Sequence, residues 1–128
     1  MKCSDFTIVV AEDDPGLLNI YKKSLSMEGY KLVLAKTCER ALADLYEEPA
    51  DLIVSDVKMK DMDGFEMLPL LLKNHPQLPV IMISGPYQTT IEDFHNKGFV
   101  NVKAFFQKPI KMDILKKKIR EVLKIEGA

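Results

Sequence analysis

Short apolar runs alternate with stretches of helical periodicity along the whole chain. Residues 6–11 form the first continuous apolar run, which is the signature of a strand buried on both faces. Asp14-Pro15 then supplies a helix start, an Asx N-cap with proline at the first helical position. Leu17, Leu18, Tyr21 and Leu25 keep helical spacing, and Gly29 is a natural stop. Residues 31–35 read as a second strand. Thr37 can cap a helix running to about Glu47, with Ala41, Leu42, Leu45 and Tyr46 turned inward and Pro49 ending it. Residues 52–55 are the third strand, followed by the polar loop VKMKDMDG and an apolar helix from about Phe65 to Asn74. Pro69 lies inside that helix, where it removes a backbone bond and predicts a kink unless it falls in the first turn. Residues 79–84 are the fourth strand. Gly85-Pro86 breaks the chain, and Thr89 or Thr90 caps a short helix through Lys97. Residues 104–107 are the fifth strand, and Met112 to about Ile125 form the last helix, with Ile114, Leu115, Ile119, Val122 and Leu123 on one side.

Five strands alternating with five helices predict an α/β doubly wound parallel sheet with right-handed crossovers. The 128 residues suit one domain, spanning 1–128 with a structured core at about 5–125. No repeat, low-complexity tract or internal linker interrupts it. The chain closes soon after the fifth helix, so no attached effector domain is expected.

The informative polar residues are those that close the apolar runs. Glu12 and Asp13 follow the first, Asp56 the third, Ser84 the fourth, and Lys108 the fifth, directly before Pro109. In an open parallel sheet the C-terminal strand ends share one edge, and ligands bind there. Taken singly, each residue has a plain structural reading: a helix cap or solvated acid at 12–14, an exposed cap at Asp56, turn chemistry at Ser84, a surface ammonium at Lys108. Taken together they place acids, a hydroxyl and an amine in one cleft. Clustered carboxylates raise one another's pKa unless a cation neutralises them. Oxygen donors without Cys or His favour Mg²⁺. A carboxylate can accept a phosphoryl group as an acyl phosphate, and phosphoryl transfer needs mainly alignment and charge neutralisation.

These motifs, VVAEDDPG, IVSDVKMKDMDG, MISG and FFQKP, make the chain resemble a response-regulator receiver domain over essentially its whole length. The resemblance implies a flavodoxin-like fold with strand order 2-1-3-4-5. It implies that Asp56 accepts a phosphoryl group from a sensor-kinase phosphohistidine. Asp13, Asp56 and the Lys58 backbone carbonyl would bind Mg²⁺ directly, and Glu12 through water. Ser84 would bond a phosphoryl oxygen, Lys108 would pair with the phosphoryl group, and the Lys108-Pro109 bond would be cis. Phe105 matches the family's switch aromatic, which turns into the space the hydroxyl at Ser84 leaves. Residues around the fourth helix, fifth strand and fifth helix would then carry the signal. The chain is thus expected to be a signalling phosphoacceptor and not an enzyme acting on an external substrate. Some positions depart from the family pattern. Lys60 stands where proline is usual, Lys58 and Pro86 occupy positions that tune self-dephosphorylation, and GFVNVKAFF lengthens the approach to the fifth strand.

Composition changes this picture little. The chain is 47% apolar and 29% charged with a net charge of −1, ordinary for a globular protein and neutral on nucleic acid. Eight Lys/Arg and two acids fall between Lys103 and Lys124, but without a reading motif or interleaved aromatics, so the last helix reads as a solvated face. The domain is not expected to bind nucleic acid directly. Cys3 and Cys38 lack metal-ligand or redox spacing and read as free thiols. No apolar stretch approaches the ~20 residues that span a bilayer, and the N-terminus lacks a secretory signal, so a cytoplasmic protein with no membrane contact is expected. The expected partners are a sensor histidine kinase or phosphotransfer protein, an output protein and, on phosphorylation, a second copy of the chain. Two other readings stand beside this one. A phosphorylation-independent interaction module would use the same fold. A Mg²⁺-dependent enzyme would use Glu12 with Asp61 and Asp63, an arrangement that resembles Toprim, although those two acids fall beyond the apolar run.

Overall fold

Strands that are apolar on both faces must be covered on both faces, and the chain does this with helices. The computed structural model describes residues 2–85 and 90–125. After a short 3₁₀ turn at Cys3–Asp5, the elements are β1 (Thr7–Ala11), α1 (Pro15–Glu28), β2 (Lys31–Ala35), α2 (Cys38–Glu47), β3 (Leu52–Asp56), α3 (Gly64–Asn74), β4 (Val80–Ser84), α4 (Ile91–Asn96), β5 (Val102–Gln107) and α5 (Met112–Leu123). All neighbouring strands are parallel and their order is β2-β1-β3-β4-β5. β1 is the pivot, with Val9 paired to Val33 on one side and Ile53 on the other.

Side-chain alternation divides the core into two layers. Val9, Ala11, Ile53, Val80 and Met82 pack with Ala41 and Leu45 of α2, Met67, Leu68 and Leu71 of α3, and Phe94 of α4. Ile8, Val10, Leu52, Val54, Ile81 and Ile83 pack with Leu18, Tyr21 and Leu25 of α1 and with Leu115 and Ile119 of α5. The caps follow the sequence. Asp14 accepts from the Gly16 and Leu17 amides, Thr37 from Arg40, and Thr90 from Asp93. Gly29 closes α1 at φ 103°, a left-handed conformation that strains any residue with a Cβ. Thr89 and Pro86 lie outside the described residues.

The edges of the elements shift from those expected. β1 and β4 start one residue later, at Thr7 and Val80, α3 starts at Gly64, and β3 includes Asp56. α4 ends at Asn96 and α5 at Leu123, where Lys124 turns left-handed at φ 57°. β5 begins at Val102, two residues before the expected start, because it carries a bulge. Val80 pairs with Val102 but Ile81 pairs with Ala104, so Lys103 is the extra residue. Two apolar positions expected inward face solvent: Tyr46 is 88% exposed and Ile114 46% exposed. Tyr46 follows the true core residue Leu45 by one position and Ile114 precedes Leu115 by one, a turn of about 100° around a helix. Pro69 stands at the sixth helical position, past the first turn, yet α3 continues to Asn74. Pro69 is on the exposed side, and having no N–H it leaves one backbone bond of the helix ladder unmade.

Pro69→Ala restores that backbone bond and is expected to stabilise the protein by roughly 1–3 kcal/mol in urea unfolding. Leu68→Ala, one residue away and fully buried, is expected to cost about 2–5 kcal/mol.

Candidate functional site

Parallel pairing brings the ends of β1, β3, β4 and β5 to one edge, and short backbone bonds just beyond the strands extend the order to the polar residues there. The Glu12 amide donates to the Ala35 carbonyl at 3.0 Å, the Val57 amide to Ile83 at 3.1 Å, and the Lys108 amide to Ser84 at 2.6 Å. These bonds hold Glu12, Asp56, Ser84 and Lys108 in register at the rim. The Lys108-Pro109 bond is cis.

The Lys108 ammonium lies between two carboxylates, 3.0 Å from Glu12 Oε1 and 3.0 Å from Asp56 Oδ2. Both acids are buried, Glu12 at 1% exposure. The other Glu12 oxygen accepts from the Asp14 amide at 3.1 Å. Burial pushes the Glu12 carboxyl above the usual glutamate range, against the Asp14 amide and Lys108, and the negative charge of Asp56 adds to the rise. Lys108 is pushed the other way from what burial alone would do. Desolvation lowers its pKa, but hydrogen bonds to Glu12 and Asp56 outweigh it and the net direction is up.

Asp13 completes the cluster. Ligand oxygens of Glu12, Asp13 and Asp56 lie within 4.8 Å of one another. Three clustered carboxylates, two of them paired with the Lys108 ammonium, suit a hard divalent cation, and the all-oxygen donor set fits Mg²⁺. Ser84 is fully buried, and its hydroxyl has no partner among the described residues. A buried, unpaired hydroxyl costs free energy until something bonds it. Lys58 is exposed, and its backbone bridges to Asp63 across the β3–α3 loop.

Phe105 faces α4. Its ring centroid lies 5.5 Å from that of Phe94, which lies 5.5 Å from Phe65. Phe106 packs in the opposite layer with α1 and α5. The bulge at Lys103 decides this: counted straight from Val102, Phe106 would share the α4 face, and the extra residue gives that face to Phe105.

Asp61 and Asp63 do not join the acid cluster. Asp61 accepts from the Cys38 amide at 3.0 Å and the Glu39 amide at 2.9 Å, capping α2. Asp63 accepts from Phe65 at 2.8 Å, capping α3. Asp63 announces itself in sequence as the residue before an apolar helix. Asp61 does not, because Thr37 already supplies a local cap for α2 and the helix start is more than 20 residues away. Cys3 and Cys38 are both free and buried, and burial pushes the Cys38 thiol up to about 12. No helix among the described residues is long and apolar enough to cross a membrane.

Comparison with known proteins agrees with this fold. A family model described as the response regulator receiver domain matches residues 8–120. The transcriptional regulatory protein GlrR of Escherichia coli K12 is 33% identical over 116 residues, 91% of this chain and 26% of that protein. The response regulator GtcR of Aneurinibacillus migulanus is 35% identical over 107 residues, 77% of this chain and 44% of that protein. This chain therefore spans between about a quarter and a half of the length of these curated relatives. A CheY-like response regulator receiver domain protein from Methanospirillum hungatei JF-1 superposes with a TM-score of 0.82 at 30% identity, covering 93% of this chain and 94% of that one.

Glu12 should titrate above the ordinary glutamate range in a carboxyl-detected NMR titration, and Asp56→Asn should bring it down by removing a neighbouring charge. Folded Glu12 holds its proton more tightly than the unfolded chain does. Its contribution to stability therefore falls as pH rises from the ordinary glutamate range through the raised value. A Glu12 that titrates at or below the ordinary value would contradict this.

Proposed function

This chain belongs to the response regulator receiver domain family, and from that premise we propose that Asp56 is its phosphoacceptor. The supporting observation is the Lys108 ammonium held 3.0 Å from Asp56 Oδ2 at the rim of a three-carboxylate cluster. An Asp56 oxygen attacks phosphorus of a phosphohistidine on a sensor kinase or phosphotransfer protein. The P–N bond breaks, its electron pair stays with the imidazole nitrogen, and an acyl phosphate forms on Asp56. Lys108 pairs with the phosphoryl oxygens and anchors them. The buried Ser84 hydroxyl moves toward a phosphoryl oxygen and gains the partner it lacks.

Glu12, Asp13, Asp56 and the Lys58 carbonyl are the residues that would hold Mg²⁺. When bound, the ion supplies the positive charge that offsets the phosphoryl oxygens. Phe105 is the switch aromatic. It lies in β5, the strand that pairs with β4, and its ring is tilted against that of Phe94. Turning into the space Ser84 leaves, it would loosen that aromatic row and alter the surface formed by α4, β5 and α5. The chemistry stays on the protein itself, phosphotransfer and self-catalysed dephosphorylation, in the cytoplasm. The output is a partner protein, a further domain or a phosphorylation-dependent homodimer, with no direct nucleic-acid contact by this domain. GlrR is named a transcriptional regulatory protein, which favours an output in gene regulation. Capping by Asp61 and Asp63 removes the two acids that a Toprim-like enzyme would need.

Incubation with a small phosphodonor and Mg²⁺ should add one phosphoryl group by intact-protein mass spectrometry, and Asp56→Asn should abolish the gain. Lys108→Ala should slow loading about a hundredfold. An unchanged wild-type mass, under conditions that label another receiver domain, would favour a phosphorylation-independent interaction module.

A further inference from the structure

The loop after Asp56 contains no proline and no glycine: Val57, Lys58, Met59, Lys60, Asp61 and Met62. Nothing in its covalent structure narrows its backbone freedom beyond that of ordinary residues. It is nevertheless the segment that carries the Lys58 carbonyl. Its hold on the fold is therefore non-covalent. Val57 and Met59 are buried, and the Val57 amide is tied to Ile83. Lys58 bridges to Asp63, which caps α3. Those contacts tie the two ends of the loop to the elements it connects.

A further tie runs to a different element, α2. Asp61 gives one carboxylate oxygen to the Cys38 amide and the other to the Glu39 amide, at 3.0 and 2.9 Å. The Cys38 thiol donates to the Met62 carbonyl at 3.5 Å. Cys38 and Glu39 are the first two residues of α2, Arg40 is served by Thr37, and Ala41 bonds the Thr37 carbonyl. All four amides at this helix start are thus satisfied, two of them by the loop. α2 is itself rigidly seated through buried Cys38, Ala41 and Leu45. A carboxylate at a helix N-terminus is favoured by the backbone dipole. Burial raises the Asp61 pKa, but the backbone donors outweigh this and hold its carboxyl below the usual range.

We propose that Asp61 is a positioning residue for the phosphorylation site, using the N-terminus of α2 as a mount that holds the 57–62 loop, and with it the Lys58 carbonyl, at the acid cluster. This rests on the reading of Asp56 as phosphoacceptor with Lys58 as a backbone metal ligand. The Asp61 carboxylate is bonded to the Cys38 and Glu39 amides. It acts by confining the loop, so its loss spreads the Lys58 carbonyl over many positions and weakens cation binding without removing a ligand. Outer-shell partners of this kind are worth about tenfold or more in metal affinity.

Thr37 provides the control, because its side chain caps the same helix through the Arg40 amide. Mg²⁺ alone is titrated calorimetrically into wild type, Asp61→Ala, Asp61→Asn and Thr37→Ala, at low and high salt, with amide hydrogen exchange read across residues 57–62. The expected result is that Asp61→Ala weakens Mg²⁺ about tenfold and speeds exchange in the loop, that Asp61→Asn falls between, and that Thr37→Ala does neither. The loss must persist at high salt, since a mere through-space charge effect would be screened. Equal Mg²⁺ affinities for Asp61→Ala and Thr37→Ala, a difference that vanishes at high salt, or unchanged loop exchange would each overturn the proposal. Should Asp61→Ala fail to fold, the Asp61→Asn comparison decides by the same criteria. Failure of the underlying reading has a separate signature: wild type then binds no Mg²⁺ and gains no phosphoryl group, whatever residue 61 does to loop exchange.

Discussion

The Lys108 ammonium between the Glu12 and Asp56 carboxylates is the interaction on which the rest of the site depends. Two buried carboxylates side by side repel and are poorly solvated, and the ammonium makes their joint burial tolerable. It joins the ends of β1, β3 and β5 across the whole rim. A buried ion pair of this kind adds little net stability, because desolvation consumes most of the attraction. Its consequence is to keep charged groups at close range in a place where an incoming anion or cation can exchange partners with them.

Around this triad the chain is organised by what each segment must satisfy. Backbone bonds beyond the regular ladder hold Glu12, Asp56 and Lys108 at the rim. The loop after Asp56 satisfies the first amides of α2 and caps α3, so the two helices flanking the rim on that face are both closed by residues of one loop. The buried Ser84 hydroxyl has no hydrogen-bond partner among the described residues.

Much of the fold was legible because its signals are local. Buried strands are continuous apolar runs, helices carry their own caps at Asp14, Thr37 and Thr90, and Gly29 ends α1. The errors have local causes as well. Tyr46 and Ile114 lie one position from true core residues, and apolar character alone cannot tell the edge of a helical stripe from its centre. The partnership of Asp61 with α2 left no trace in the sequence, since it joins residues more than 20 apart and the nearby Thr37 already accounted for the cap.

The sequence by itself determined that acids, a hydroxyl and an amine close successive strands, because parallel connections oblige those strand ends to share an edge. Tertiary structure alone decided how they meet. Side-chain distances between Glu12, Asp56 and Lys108 depend on strand order and twist, which no single run of residues encodes. The choice between Phe105 and Phe106 turned on one extra residue at Lys103. A bulge changes which side of the sheet a strand presents, and it exists only through pairing with the neighbouring strand.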